Sequence, residues 1–122
     1  MIGRHLLADL HGVEHERLAD SALLDRMLLD AARASGLTPV AGPLLHQFPG
    51  GGLTGVVLLA ESHIAFHTYP ERGYLALDVF TCGDSDPSTA LEVFRRALDP
   101  AWHTAQVIAR GRAEPSSPGS GA

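Results

Sequence analysis

Turn-forming residues cut the middle of the chain into short apolar runs, and this punctuation limits the fold more than any other feature. Gly50-Gly51-Gly52 forces a turn ahead of Leu53 to Ala60, and Pro70-Glu71-Arg72-Gly73 joins Ile64 to Thr68 to the run Tyr74 to Phe80. The leucines and valines of the first run predict a buried strand, and the two that follow predict further strands. Thr38 to Phe48 precedes them and contains Pro39 and Pro43, which predicts an interrupted or edge strand because proline cannot donate to a ladder. Strands in such close succession predict a hairpin-rich sheet.

Helical periodicity flanks this block. Leu23, Leu24, Met27, Leu28, Ala31 and Ala32 recur at three and four, with Asp20 or Ser21 available as N-cap and Gly36 as the stop. Asp86-Pro87 opens a second helix whose apolar stripe is Ala90, Leu91, Phe94, Ala97 and Leu98, and Asp99-Pro100 ends it. Residues 4–10 and His103 to Ile108 predict a first and a last strand, so the pattern is β-α-β-β-β-β-α-β. Residues 1–111 read as a single domain. Residues 112–122, rich in serine, glycine and proline, read as a disordered tail with nothing to bury.

This predicts an α+β two-layer sandwich, a mainly antiparallel sheet with two helices on one face. Leu75, Leu77 and Val79 are apolar on one parity of their strand, and Tyr74, Ala76 and Phe80 are largely apolar on the other. Both sheet faces therefore need cover. A second copy supplies it, which predicts a homodimer packed sheet on sheet into a four-layer αββα body.

At 122 residues, with 45% hydrophobic and 19% charged, the chain is an ordinary soluble globule that buries roughly two thirds of its unfolded surface. A net charge of −5 provides no basic field to gather phosphates, so no nucleic-acid partner is expected. Leu53 to Ala60 is far too short to span a bilayer, so no membrane partner is expected. The N-terminus lacks the apolar core of a secretory signal, which predicts a cytoplasmic protein. The single cysteine, Cys82, cannot form an internal disulfide and is either packing or reactive.

The densest chemistry lies in Glu61-Ser62-His63-Ile64, His67-Thr68, Pro70-Glu71, Gly73-Tyr74 and Asp78-Val79-Phe80-Thr81-Cys82-Gly83. Together with Gly3-Arg4-His5-Leu6 and Thr54-Gly55-Val56-Val57, these residues resemble the proenzyme of the prokaryotic, pyruvoyl-dependent S-adenosylmethionine decarboxylase family. The resemblance spans nearly all the chain except the tail.

It implies that the chain cuts itself between Glu61 and Ser62, leaving residues 1–61 and 62–122. The Ser62 hydroxyl attacks the Glu61 carbonyl to form an ester, a base removes the Ser62 α-proton, and β-elimination releases the first chain. Hydrolysis of the dehydroalanine left behind yields ammonia and a pyruvoyl group, the covalent cofactor. Substrate amine then forms a Schiff base with that group, which takes up electrons as carbon dioxide leaves. By the same resemblance His67 is the processing base, Thr54 stands where a serine hydroxyl assists processing, and Cys82 is the proton donor in turnover. Phe48 and Tyr69, the latter in place of a tryptophan, flank adenine, and Glu71 accepts from ribose hydroxyls. Arginine or ornithine is the alternative substrate.

Read without the resemblance, His67 is a polar strand residue and Cys82 a buried structural one. Ser62 and His67 have opposite strand parity and cannot face each other along one regular strand, so a turn or bulge near Ser62 is expected. Two rival readings remain. One is a metal site from His63 and His67 with His46 and Cys82, though zinc sites usually show paired close ligands and only one pair exists, so no metal is expected. The other is a non-enzymatic partner subunit, which would have no chemical need for Ser62, His67 and Cys82 together.

Overall fold

The computed structural model describes residues 2–111. Strands β1 (Gly3–His11), β2 (Pro39–Gln47), β3 (Leu53–Leu59), β4 (Ser62–Tyr69), β5 (Tyr74–Cys82) and β6 (Trp102–Arg110) are accompanied by helices α1 (His15–Leu18), α2 (Ser21–Ala34) and α3 (Ser88–Leu98). The strands form one sheet in the order β2-β3-β4-β5-β1-β6, with every neighbouring pair antiparallel. The expected tail lies outside the described residues.

The caps act where the sequence places them. Asp20 accepts a hydrogen bond from the Leu23 N–H at 3.0 Å and starts α2. At its far end the Leu37 N–H reaches the Ala32 carbonyl and the Gly36 N–H reaches Arg33, with Gly36 at φ 70°. This is the left-handed termination that glycine favours. Asp86 accepts from the N–H and hydroxyl of Ser88 at the start of α3, and those bonds hold its carboxyl below the usual range. Two helices were expected and the described residues hold three α-helices. The single turn α1 is too short to show periodicity, and it is held by the Leu18 carbonyl, which accepts from the Thr68 hydroxyl at 2.7 Å.

Helices α2 and α3 cover one sheet face. Leu24, Leu28, Phe94 and Leu98 pack there against Leu6, Leu10, Val57, Ile64, Phe66, Leu75 and Val79. The Phe66 and Phe94 rings lie 6.1 Å apart at the centre. Phe66 owes its place to the residue opposite it on β3, Gly55, because a Cβ there would lie 2.4 Å from the ring.

The other face carries no helix among the described residues. Leu7, Leu44, Leu58, Trp102 and Ile108 stand exposed on it, Leu44 at 72% and Trp102 at 57%. Its middle is built from small side chains: Ala65 and Ala76 line a trough of about 440 Å³ that runs from His67 to Asp78.

Gly55→Ala is expected to cost about 1–3 kcal/mol of stability by forcing Phe66 off its seat. Denaturant unfolding of the variant beside its parent measures this, and an unchanged midpoint would show that the ring has room to move.

Candidate active site

The β3–β4 turn sets the first half of the site. Leu59 pairs with Ser62, so the connection is only Ala60-Glu61, and Glu61 takes a left-handed backbone conformation at φ 64°. A non-glycine residue adopts that region at a cost, and such strain is found where structure over-determines it. The Glu61 carbonyl accepts a hydrogen bond from the Cys82 thiol at 2.7 Å, across from β5. The next residue, Ser62, is only 8% exposed, and its buried hydroxyl has no hydrogen-bond partner. An orphaned buried hydroxyl costs about 1–3 kcal/mol, so it needs an explanation. One peptide bond therefore combines a strained residue, a polarised carbonyl and an unsatisfied hydroxyl.

The second half lies at the opposite end of the same strands. Thr54 on β3 pairs with His67 on β4, and the Thr54 hydroxyl is 2.9 Å from His67 Nδ1. Beside them is a cavity of about 430 Å³ whose walls include Phe48, Tyr69 and Glu71. Its rim is braced: the Phe48 N–H donates to the Gly52 carbonyl at 2.8 Å, and the Gln47 side chain donates to the carbonyls of Ala19 and Gly51. Thr54 and His67, named for processing, and Phe48, Tyr69 and Glu71, named for substrate contact, are gathered here.

Comparison with known proteins identifies the family. A sequence model described as S-adenosylmethionine decarboxylase matches residues 4–111. The chain belongs to that family. It is 40% identical over 111 residues to the S-adenosylmethionine decarboxylase proenzyme of Prochlorococcus marinus (strain MIT 9313), covering 90% of this chain and 88% of the relative. The corresponding proenzyme of Brevibacillus brevis is 42% identical over 113 residues, covering 92% and 84%. A crystal structure of the adenosylmethionine decarboxylase from Aquifex aeolicus VF5 superposes with a TM-score of 0.86 at 38% identity, covering 95% of this chain and 96% of that one.

In this member of the decarboxylase family, the turn or bulge expected near Ser62 takes the form of the Ala60-Glu61 turn, which does not change the strand's parity. Strands β3 and β4 pair from Leu59↔Ser62 through Thr54↔His67 without a register shift, so parity is preserved. Ser62 shares the buried parity of Ile64 and Phe66, whereas His67 shares the open parity of His63 and Ala65. Five positions along a strand also separate them by about 16 Å. Within one chain the proposed nucleophile and its base do not meet. Cys82, for which the resemblance implies a role in turnover, lies instead at the Glu61–Ser62 peptide, its thiol on the Glu61 carbonyl.

The metal set considered from sequence does not assemble either, since His63 and His67 lie four residues apart on an extended strand, about 13 Å. A different group converges, His5, His63 and Asp78. Asp78 bonds His5 Nε2 and lies 3.6 Å from His63 Nε2. Arg110 fixes the tautomer of His5. Its guanidinium only donates, so His5 Nδ1, 2.9 Å away, must accept and Nε2 must carry the proton given to Asp78. A metal on Nε2 would require the reverse, so with His5 neutral this is a hydrogen-bonded network centred on the Asp78 carboxylate. Local spacing hides it because His5 and Asp78 are 73 residues apart. The one available signal is an acid on the open parity of the apolar strand Tyr74–Cys82.

At the cavity end the Tyr74 hydroxyl donates to Asp9 Oδ1 at 2.5 Å. That hydrogen bond, with burial and the carboxylate's charge, pushes the Tyr74 phenol from 10.0 up to about 12. The folded state thus favours the protonated phenol. The associated stability is complete below about pH 10 and is lost as pH rises through about 12. Asp9→Asn is expected to lower the Tyr74 titration toward its ordinary value, followed by tyrosinate absorbance, and to flatten the alkaline loss of stability. An unshifted titration would rule out Asp9 as the cause.

Proposed function

We propose that the chain is a self-processing, pyruvoyl-dependent decarboxylase that converts S-adenosylmethionine to its decarboxylated form, the aminopropyl donor of spermidine synthesis. The observation that carries this reading is the Cys82 thiol bonded to the carbonyl of Glu61, beside the unsatisfied hydroxyl of Ser62. Ser62 Oγ attacks that carbonyl, and the C–N bond to Ser62 breaks as the ester forms. The thiol offers a donor to the oxygen as negative charge gathers on it. A base then takes the Ser62 α-proton, and the Cβ–Oγ bond breaks to release residues 1–61 ending in the Glu61 carboxylate. Water finally replaces the nitrogen of the dehydroalanine as ammonia. These residues fit the pyruvoyl group: Ser62, whose buried hydroxyl has no hydrogen-bond partner, would become it, and Cys82 would adjoin it. Once formed, its carbonyl supplies the electron sink for loss of carbon dioxide.

His67 serves as the base because imidazole exchanges protons near neutral pH, with Thr54 orienting its ring through Nδ1. Since one chain holds His67 far from Ser62, two copies complete the site. We propose a homodimer, the open sheet faces stacked so that the cavity end of one chain lies over the cleavage end of its partner. The exposed Leu7, Leu44, Leu58 and Ile108 and the alanine trough support this, because large apolar side chains set among polar groups on an open sheet face suit a subunit interface. A free thiol needed for turnover is kept reduced in the cytoplasm, where we place the enzyme.

Phe48 and Tyr69 would flank the adenine, Glu71 would accept from the ribose hydroxyls, and the aromatic faces would favour the sulfonium by roughly 0.5–2 kcal/mol. Arginine and ornithine have no ring to fill that slot, which ranks them second. Cleavage would leave β1, β2 and β3 on one fragment and β4, β5 and β6 on the other. Because β1 lies between β5 and β6, the fragments would stay interlocked.

Intact mass spectrometry is expected to show residues 1–61 and a pyruvoyl-blocked 62–122, and Ser62→Ala to leave one uncut, inactive chain. A wild-type chain that stays whole after long incubation would sink the proposal. Cys82→Ala is expected to slow cleavage as well as turnover. Co-expression of His67→Ala with Ser62→Ala should restore cleavage of the His67→Ala chain alone. If neither chain is cut when together, each site is complete within one copy.

A further inference from the structure

Four rings form a continuous stack across the open face at the cavity end. Tyr69 on β4 lies 5.5 Å from Tyr74 on β5 with planes 20° apart, Tyr74 lies 5.1 Å from His11 on β1 at 23°, and His11 lies 4.0 Å from Trp102 on β6 at 12°. The register supports the row, with Tyr69 opposite Tyr74 and His11 opposite Trp102. Of the four, only Tyr69 also lines the cavity shared with Phe48 and Glu71. The stack is anchored in its interior by the Tyr74 hydroxyl on Asp9 and ends at Trp102, the chain's single tryptophan, which is more than half exposed.

We infer that Tyr74, His11 and Trp102 are positioning residues that preset the ring of Tyr69 for a planar ligand, so that affinity in the nucleoside slot depends on side chains that never touch the ligand. A half-exposed tyrosine on an open strand face samples several rotamers, and fixing it during binding weakens affinity. Offset stacking on Tyr74 settles that orientation in advance. Tyr74 cannot itself turn away, being held by Asp9 at its hydroxyl and by His11 on its other side. His11 is braced in turn by the indole of Trp102. Tyr74 borders a recess beside the cavity with Tyr69, Glu71 and Arg72, but His11 and Trp102 line neither, so substrate contact does not explain the row. Nor does core packing, because its members lie on the face without helices.

The inference rests on the decarboxylase reading, and one set of measurements separates the two. In the processed enzyme, Tyr74→Leu is expected to raise KM for S-adenosylmethionine roughly three- to tenfold while kcat stays within about twofold. Tyr74→Phe, which keeps the ring but loses the hydroxyl on Asp9, is expected to show a KM between those of wild type and Tyr74→Leu. Trp102→Ala, at the exposed end of the row, asks the same question should Tyr74→Leu fail to fold, and is expected to raise KM roughly two- to threefold. Added 5′-methylthioadenosine should change Trp102 emission in wild type, and a saturating dose should leave it unchanged in Tyr74→Leu. Sedimentation of each variant as wild type assigns the effect to the slot rather than to subunit pairing. Unaltered KM in both ring-removing variants, with normal wild-type turnover, overturns the inference alone. An uncut, inactive wild type overturns the decarboxylase reading and the inference with it.

Discussion

Strict two-residue alternation along the β3–β4–β5 ladder governs where every reactive side chain points. No bulge interrupts β3 against β4 or β4 against β5, so each residue's face follows from its parity alone. Odd positions of β4 carry His63, Ala65, His67 and Tyr69 to the open face, and even positions send Ser62, Ile64, Phe66 and Thr68 toward the helices. A single residue inserted between Ser62 and His67 would have put both on one side of the strand, and the unbroken pairing shows that none is present. The tight ladder therefore protects the core and leaves the nucleophile buried. Access to the cleavage point comes through the Glu61 carbonyl, which the left-handed turn presents to Cys82.

The same alternation accounts for an unfinished molecule. Helices cover one face because α2 and α3 each present a single apolar stripe, and both stripes are spent on it. The other face mixes polar chemistry with exposed leucine, isoleucine and aromatic side chains, a combination suited to an interface that also does chemistry. Two networks already order it: the chain Arg110–His5–Asp78–His63 next to the cleavage end, and the stacked rings at the cavity end. Each is assembled from strands far apart in sequence, and each stiffens side chains that would otherwise be free.

Much of this was legible beforehand. Periodicity located α2 and α3, the glycine and proline clusters separated the strands, and Asp20, Gly36 and Asp86 marked helix ends through local hydrogen bonds and backbone conformation. Helix α1 was missed because one turn carries no period, and its stability comes from the distant Thr68. Thr54, His67, Phe48, Tyr69 and Glu71 were named separately, and antiparallel pairing gathers them. Of the turn or bulge expected near Ser62, the structure has the turn: Ala60-Glu61 absorbs the chain reversal with one left-handed residue and leaves the register intact, so parity still separates Ser62 from His67.

Local information in the sequence determined the elements, their apolar faces and the residue types that the chemistry needs, since caps, turns and alternation act within a few residues. Distances between those residues were settled by tertiary structure alone, because they depend on register between strands that lie far apart along the chain. Register brought Cys82 onto the carbonyl of Glu61 and set His67 against Thr54. By keeping Ser62 and His67 at opposite ends and on opposite faces of one strand, it also left each chain with two halves of a site that cannot close on themselves.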